Sequence, residues 1–424
     1  MRRRLNHALR RALRLLARPV RAATGRGGFV LQPYRGYGSR EEVFLIGRVF
    51  RQPTFGSSVG GESVRRLLIE VARRLLSWGV AEAVLIARFY GAEQRVTTDR
   101  DGYFRVHMRP VRPPSGQRWH TMELDLVEPT GIVAAGEVFL PPANCSCVVI
   151  SDIDDTIMET GVASKIRMVW RLFMQGAESR VAFPGVAALL QSLHRGASGV
   201  EANPMLYVSR APWSIYEILD EFFNLHDIPV GPILFLREWG LTLQSPLPRR
   251  AQDHKLDLIR NMLGLYRDLP FVLIGDSGQR DPEVYAQIVH EHPGRVLAIY
   301  IRNVSRDPAR HRAIEALALQ VVEAGSSLLL AADSLAIAEH AGAHGLIAPD
   351  ALVEVARERE VQQGEPDLKP TLEVARSSPG ETRRAVQTGE LEQALDQADG
   401  AEAPRNVVVE AEDQPDEPRL RQRG

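Results

Sequence analysis

Four short polar segments contain the residues of this chain that could do chemistry together. They are Ser151-Asp152-Ile153-Asp154-Asp155-Thr156, Ser209-Arg210-Ala211-Pro212-Trp213, Asp253-His254-Lys255 and Gly275-Asp276-Ser277-Gly278-Gln279-Arg280-Asp281. The carboxylates of Asp152 and Asp276 offer oxygen ligands, without His or Cys, of the kind that Mg²⁺ prefers. Such a cation neutralises the repulsion that arises when an anionic nucleophile approaches a phosphate monoester. The segments therefore indicate metal-assisted phosphoryl transfer.

The side chains in these segments have the types that this chemistry requires. A carboxylate such as Asp152 can attack phosphorus and form an aspartyl-phosphate. A second carboxyl group two residues later, Asp154, can protonate the leaving alkoxide and then deprotonate water. Ser209 and Lys255 can hold the phosphoryl oxygens and stabilise the charge in transfer.

The combination of segments is more informative than any one of them. An isolated DxDxT pattern is frequent by chance, and acidic residues after a strand usually belong to a turn or a helix cap. The lysine adds weight, because the chain contains only three lysines, Lys165, Lys255 and Lys369, among many arginines. A compact ammonium group at position 255 suits the binding of a phosphoryl group.

Strands that alternate with helices are predicted around these segments, from residue 146 to about residue 304. Four continuous apolar runs, as expected of strands covered on both faces, lie at 147–150, 205–208, 271–274 and 296–301. Further elements are predicted as a strand at 232–236, helices at 186–194, 213–224, 256–265 and 282–290, and an Ala-rich helical region at 311–360 with a short segment near 328–331. The alternation indicates a parallel sheet, and ligands bind beyond the carboxyl ends of such strands. We therefore expect the four polar segments to converge at one edge.

The preceding region, from about residue 29 to residue 142, has the signals of short strands instead. Strands are predicted at 43–49, 84–90, 103–108, 122–127 and 132–140, with a turn signal at 97–104 and one helix at 63–76. We interpret this region as a small β-sandwich whose turn resembles those of carboxypeptidase-regulatory-like sandwiches. It contains no catalytic constellation, so an accessory or positioning role is expected.

Charge is distributed unevenly along the chain, although the net charge is only -1 and no nucleic-acid partner is expected. No acidic residue precedes Glu41, and residues 2–21 have a helical period with leucines on one face and arginines on the other. This pattern is typical of a helix on an anionic membrane surface. There are three alternatives: the segment packs on its own domain, it is disordered, or the start codon is assigned too early. After about residue 362 the chain is acidic, contains proline and is expected to be largely disordered.

Cysteine content and hydropathy limit the cellular location. Two thiols, Cys145 and Cys147, cannot complete a zinc site, and a disulfide between strand residues two apart is geometrically unfavourable. Reduced thiols fit a reducing compartment, and arginines interrupt any secretory apolar segment near the start. We expect a cytoplasmic protein. If residues 2–21 bind a membrane surface, it would be attached there as a peripheral protein.

The order of the polar segments resembles the four motifs of the haloacid-dehalogenase-like superfamily. More narrowly, residues 151–157, 207–213 and 274–285, together with Lys255, are similar to the catalytic domain of the actin-patch-protein family of phosphatidate phosphatases. The likeness covers the α/β region but neither the basic start nor the acidic tail. It implies an α/β fold with a parallel Rossmann-like sheet of the haloacid-dehalogenase type, preceded here by the small β-sandwich.

The resemblance also implies roles for the matched acidic residues. Asp152 is the implied nucleophile and Asp154 the implied acid–base group. The implied Mg²⁺ ligands are Asp152, the backbone carbonyl of Asp154, and Asp276, with Asp281 supporting the metal shell.

Phosphate binding is the implied role of Thr156, Ser209 and Lys255.

The sequence as a whole predicts four parts. They are a basic amphipathic helix at 1–28, the β-sandwich at 29–143, the phosphatase domain at 144–350 and the acidic tail at 351–424.

The insertions that could cover the site are short, which bears on the substrate. Residues 157–183 hold about one helix, at 164–174, and residues 210–254 hold one helix, a strand and a loop, so no large cap domain fits. The apolar helix with interspersed arginines at 164–174 could enter a bilayer or pack on the sheet. An open site suits a phosphate displayed on a membrane or macromolecule, and phosphatidate is the expected substrate. The alternatives are a phosphoprotein, a soluble phosphate monoester, or a membrane-associated scaffold without turnover, against which the intact carboxylate pair argues.

Deleting residues 1–22 tests the membrane interpretation of the basic start. Each basic residue near an anionic surface contributes on the order of 1 kcal/mol, so the truncated chain should bind anionic vesicles less tightly. Co-sedimentation with vesicles at two salt concentrations measures this, since salt screens the electrostatic part. Hydrolysis of a soluble aryl phosphate should stay unchanged. Equal vesicle binding by both chains would rule out the anchor, and loss of soluble activity would show that the helix belongs to the fold.

Overall fold

The structure is a computed structural model that describes residues 23–24, 28–51, 78–114, 116–128, 131–153, 183–211, 213, 216–235, 251–363 and 408–409. Several predictions lie outside these residues: the basic helix over residues 2–21, the helices at 63–76 and 164–174, and the acidic tail after residue 363 apart from residues 408–409. The proposed acid–base residue Asp154 and the proposed phosphate ligand Thr156 also lie outside them.

Ten strands before residue 140 form one hydrogen-bonded, mostly antiparallel sheet. They are β1 (Ala23–Thr24), β2 (Phe29–Pro33), β3 (Gly36–Gly38), β4 (Val43–Arg51), β5 (Trp78–Gly79), β6 (Val84–Phe89), β7 (Ala92–Thr97), β8 (Tyr103–Met108), β9 (Trp119–Glu128) and β10 (Ile132–Phe139). The alternating apolar residues of the longer strands face inward and form a single core, which includes Leu45, Leu85 and Leu124. The five strands predicted from this alternation are all present.

The strands of this region are connected through β4. β4 is hydrogen-bonded along one edge to β2 and β3 and along the other to β8, so that Gly47 and Arg48 have partners on both sides. Because one long strand carries both sets of pairs, the strands join into one sheet around one core. The strand β7 was not predicted, because its residues alternate between half-buried and exposed and only Ala92 and Val96 pack against the core.

Seven further strands form the second sheet. They are β11 (Val148–Asp152), β12 (Met205–Ser209), β13 (Ile233–Phe235), β14 (Phe271–Asp276), β15 (Val296–Arg302), β16 (Leu328–Ala331) and β17 (Val408–Val409). Their order is β13-β12-β11-β14-β15-β16-β17, and every pair is parallel except the last. The first six thus have the order 3-2-1-4-5-6 of a doubly wound sheet. The predicted strands and their parallel arrangement are confirmed.

In the described parts of the chain, seven helices cover this sheet on both faces. They are α1 (Val186–Arg195), α2 (Tyr216–Leu225), α3 (Ala251–Leu265), α4 (Asp281–Glu291), α5 (Pro308–Glu323), α6 (Ser334–Ala343) and α7 (Ala351–Gln363). Residues of α1, α2, α6 and α7 pack with Val149, Tyr207 and Ile274 on one face. Residues of α3, α4 and α5 pack with Ile150 and Leu273 on the other. Burial on both faces explains the continuous apolar runs of the central strands, and the protein is a mixed α/β structure.

Two peripheral expectations can be compared with the structure. Cys145 and Cys147 are both free thiols, and burial raises the pKa of Cys147 to about 12, which makes it a poor thiolate. In the described part of the chain, none of the helices combines the length and the apolar character that crossing a bilayer requires.

Candidate functional site

Three strands of the parallel sheet end in the polar residues singled out by the sequence. Asp152 is the last residue of β11, Ser209 of β12 and Asp276 of β14, and all three are fully buried. β11 lies between β12 and β14, so the three residues meet at the carboxyl edge of adjacent strands. The gap between β11 and β14 is where the strand order reverses, which is where open α/β sheets bind ligands.

Lys255 extends from α3 into this edge and connects two acidic residues. Its Nζ donates hydrogen bonds to Asp152 Oδ1 at 2.8 Å and to Asp281 Oδ1 at 2.6 Å. Burial disfavours the charged form of Lys255, but the nearby charges of Asp152 and Asp281 outweigh it and raise the lysine pKa well above its usual value. Lys255 is therefore a permanent buried cation, only 1% exposed.

The carboxylates of Asp152, Asp276 and Asp281 form a buried acidic cluster. One oxygen from each lies within 4.8 Å of the others. Burial and the charge of Asp281 raise the pKa of Asp276 to about 7, although Lys255 and hydrogen bonds from Gln279 act in the opposite direction. Three carboxyl groups here face one buried ammonium group, and the raised pKa of Asp276 reflects burial first and the neighbouring Asp281 second. A donor set of carboxylate oxygens in need of positive charge fits Mg²⁺.

Gln279 connects two of these carboxylates and had no assigned role in the sequence analysis. Its Nε2 donates to Asp152 Oδ2 at 3.0 Å and to Asp276 Oδ2 at 2.7 Å. Its backbone N–H donates to Asp276 Oδ1 at 2.8 Å. The amide thus bridges two expected metal ligands. The sequence signal for it was its place in the Gly-Asp-Ser-Gly-Gln segment, which does not reveal the direction of the side chain.

Asp281, the first residue of α4, is held against β14. Its Oδ2 accepts the backbone N–H of Asp276 at 3.2 Å, while its Oδ1 accepts from Lys255. A Cβ at Gly275 would lie 2.3 Å from Asp281 Oδ2 and 2.7 Å from Asp281 Cβ. The close approach of α4 to the end of β14 therefore requires glycine at position 275.

Arg310 on α5 anchors the loop that carries Gln279, a role that the sequence analysis did not predict. Its Nε donates to the carbonyl of Ser277 at 2.8 Å and its Nη2 to the carbonyl of Gln279 at 2.6 Å. The same guanidinium pairs with both carboxylate oxygens of Glu283 on α4, at 2.5 and 3.0 Å. A planar fork of donors is needed for this set of contacts.

The structure therefore brings together Asp152, Lys255, Asp276 and Asp281 through direct contacts or short separations. Ser209 ends the strand beside β11, and its Oγ accepts the backbone N–H of Ala211 at 3.1 Å. Asp154 and Thr156 follow β11 outside the described residues.

Comparison with known proteins finds similarity in this region. Residues 147–303 match the family model described as "Phosphatidate phosphatase APP1, catalytic domain". The chain is 34% identical over 154 residues to the phosphatidate phosphatase APP1 of Saccharomyces cerevisiae, across 36% of this chain and 25% of that protein. It is 28% identical over 224 residues to an uncharacterized protein of Schizosaccharomyces pombe, across 51% of this chain and 35% of that one.

The extent of these matches is limited. The chain spans a quarter to about a third of the length of these two relatives. Among solved structures, a carbohydrate acetylesterase from Xanthomonas citri aligns with 81% of this chain and 76% of its own, at 11% identity and a TM-score of 0.27. A score of this size carries no argument about fold or function. The sequence matches support the resemblance to the phosphatidate phosphatase catalytic domain in residues 147–303, which contain Asp152, Lys255 and Asp276.

Metal addition should change the stability of the protein. Mg²⁺ in excess should raise the melting temperature, because a ligand that binds only the folded state adds RT ln(1 + [L]/Kd) to the free energy of unfolding. Differential scanning fluorimetry in EDTA and with added Mg²⁺ measures this increment, and Asp276→Asn should abolish most of it. Ca²⁺ should replace Mg²⁺ poorly in activity because it prefers more ligands. A wild-type melting temperature and activity that are the same in chelator as in Mg²⁺ would contradict the metal assignment.

Replacing Arg310 by lysine should weaken Mg²⁺ binding while keeping the charge. Lysine cannot reproduce the four contacts of the guanidinium, so the loop with Gln279 should lose its fixed position. Loss of such supporting contacts typically costs about 10–100-fold in metal affinity. Calorimetric titration with Mg²⁺ compares this variant with Arg312→Lys, a control at an exposed arginine of the same helix. Equal Mg²⁺ affinities in Arg310→Lys and Arg312→Lys would show that the contacts of Arg310 do not influence the site.

Proposed function

We propose that this chain is a Mg²⁺-dependent phosphatidate phosphatase that acts through an aspartyl-phosphate on Asp152. The observation that carries the proposal is the buried cluster of Asp152, Asp276 and Asp281 around Lys255, inside the region matched to a phosphatidate phosphatase catalytic domain. The 3-2-1-4-5-6 strand order, with the nucleophile on the first strand, supports a Rossmann-like sheet of the haloacid-dehalogenase type. We assign catalysis to residues 144–350 and an accessory role to residues 29–143.

The geometry of Asp152 suits a nucleophile. Its Oδ1 is held by Lys255 and its Oδ2 receives the Gln279 amide, which together fix the plane of the carboxylate at the sheet edge. In the first step a carboxylate oxygen attacks phosphorus, and the bond from phosphorus to the glycerol oxygen breaks. The electron pair leaves with that oxygen, which Asp154 protonates to give the alcohol of diacylglycerol.

The second step releases phosphate and restores the enzyme. Asp154, now a carboxylate, takes a proton from water, and the resulting hydroxide attacks the aspartyl-phosphate. The bond between phosphorus and the Asp152 oxygen breaks, so the carboxylate is regenerated and inorganic phosphate departs. Lys255, Ser209 and Thr156 hold the phosphoryl oxygens during both steps, because charge on them must be stabilised in transfer.

Mg²⁺ fits the carboxylate set described above, with Asp152, Asp276 and the backbone carbonyl of Asp154 as its ligands and Asp281 in support. When bound, it would neutralise negative charge between the nucleophile and the phosphoryl group. The raised pKa of Asp276 is the property of this chain that such a cation would relieve.

A lipid substrate is favoured over a soluble one by two observations. The matched catalytic domain is that of a phosphatidate phosphatase, and the basic start of the chain could attach it to an anionic bilayer as a peripheral protein. Phosphatidate in that bilayer would then present its phosphate to the sheet edge.

A substrate panel with matched variants tests the proposal. Phosphate release with Mg²⁺ should be fastest from phosphatidate vesicles, and slower from phosphopeptides and sugar phosphates. Asp152→Asn should abolish turnover, because an amide cannot form the aspartyl-phosphate, and Asp154→Asn should retain Mg²⁺ binding but lose about 10²–10⁴-fold or more in rate. Asp268→Asn, at an exposed aspartate, controls for the amide change.

The outcomes separate mechanism from substrate. Substantial activity in Asp152→Asn would overturn the nucleophile assignment. Preference for phosphopeptides over phosphatidate would leave the mechanism in place and reject the lipid substrate.

A further inference from the structure

The ten-stranded sheet contacts the α/β region at Trp213 and Tyr216, which follow Ser209 in the chain. Tyr34, between β2 and β3, is stacked on Trp213 with ring centroids 4.8 Å apart and an interplanar angle of 13°. The ring of Tyr34 also lies 4.3 Å from that of Tyr216 at the start of α2. All three aromatic side chains are buried.

Polar contacts from the same link fix the first two turns of α2. The backbone N–H of Arg35 donates to the hydroxyl oxygen of Tyr216 at 3.0 Å. The Arg35 guanidinium forms an ion pair with Asp220, and the side-chain amide of Gln32 donates to Glu217. Through these contacts, the end of β2 and the link to β3 hold the beginning of α2 in place.

The braced segment is the one that follows Ser209. Trp213 comes four residues after Ser209, and its ring also packs on Phe235 at the end of β13, 4.6 Å away. Ser209 Oγ accepts the N–H of Ala211 within this segment. Trp213 therefore contacts both the parallel sheet, through Phe235, and the ten-stranded sheet, through Tyr34.

Tyr34 is itself fixed by the ten-stranded sheet. Its N–H donates to the carbonyl of Ile46 in β4 at 2.9 Å. A Cβ at Gly36 would lie 2.4 Å from the carbonyl oxygen of Phe44, so the link can follow β4 this closely only with glycine there. The backbone that carries the Tyr34 ring is thus held against β4.

We propose that Tyr34 is a positioning residue for Ser209, and that the ten-stranded sheet is in this way a working part of the phosphatase site. The inference rests on the proposed function, in which Ser209 holds a phosphoryl oxygen. Aromatic stacking at an interface also stabilises a protein without any effect on catalysis. The position of this stack, on the segment that leaves Ser209, distinguishes it from such a contact.

The neighbouring residue Tyr37 provides a matched control. It is an equally buried tyrosine of β3, 4% exposed like Tyr34, and it also packs against the α/β region. Tyr37 belongs, however, to the core on the opposite face of the parallel sheet, with α3 and α4. Loss of Tyr37 should therefore weaken the same interface without moving the segment after Ser209.

Steady-state kinetics on a soluble aryl phosphate with Mg²⁺, below the melting temperature of every variant, tests the proposal. Tyr34→Leu should lower kcat/KM and weaken competitive inhibition by inorganic phosphate, each by about 10-fold or more, since small misplacements of a binding group have large effects. Tyr34→Phe, which keeps the ring, should restore both values. Tyr37→Leu should lower the melting temperature and leave phosphate inhibition as in the wild type.

A double substitution shows whether the effect passes through Ser209. If Tyr34 acts by positioning Ser209, then Tyr34→Leu should have little further effect on phosphate inhibition in Ser209→Ala protein, because coupled residues are not additive. Full additivity, or equal kinetic losses in Tyr34→Leu and Tyr37→Leu, would overturn the positioning role while the phosphatase assignment stands. A wild-type protein that neither hydrolyses the aryl phosphate or phosphatidate nor binds phosphate would overturn the proposed function, and this inference with it.

Discussion

The buried ammonium group of Lys255 lies between the carboxylates of Asp152 and Asp281, and the architecture of the α/β region serves to keep this charge cluster out of water. Burying a charge is unfavourable unless opposite charges and hydrogen bonds compensate it. Here three carboxyl groups, those of Asp152, Asp276 and Asp281, share one buried ammonium group, and burial together with Asp281 raises the pKa of Asp276 to about 7. A site with excess buried negative charge gains stability from a cation, which couples folding of the sheet edge to metal binding.

Each element around the cluster restricts the position of one or two of its side chains. The strand order places Asp152 and Asp276 side by side, and glycine at position 275 lets Asp281 approach the same point. The loop between β14 and α4 is fixed from α5 by Arg310, which lies outside the region of family similarity. Precise positioning of this kind is what turns a set of suitable side chains into a reactive arrangement.

The contact between the two sheets also positions residues near the site, here through a whole sheet instead of a single side chain. The ten-stranded sheet touches the α/β region through Tyr34 and Arg35, at Trp213, Tyr216 and Asp220. A connection between a strand and a helix has fewer contacts than the elements it joins, so packing the sheet against Trp213 reduces the freedom of that residue.

The sequence by itself determined the α/β pattern, the parallel strands and the candidate residues Asp152, Ser209, Lys255, Asp276 and Asp281. It could do so because strands buried on both faces are continuously apolar, and because polar residues that follow such strands must lie at one edge. The tertiary structure alone decided that β4 joins the first ten strands into one sheet, that Gln279 bridges two carboxylates, and that Arg310 and Tyr34 brace the loops around the site. These features depend on contacts between residues far apart in the chain and on the direction of single side chains, and neither leaves a periodic signal in the sequence.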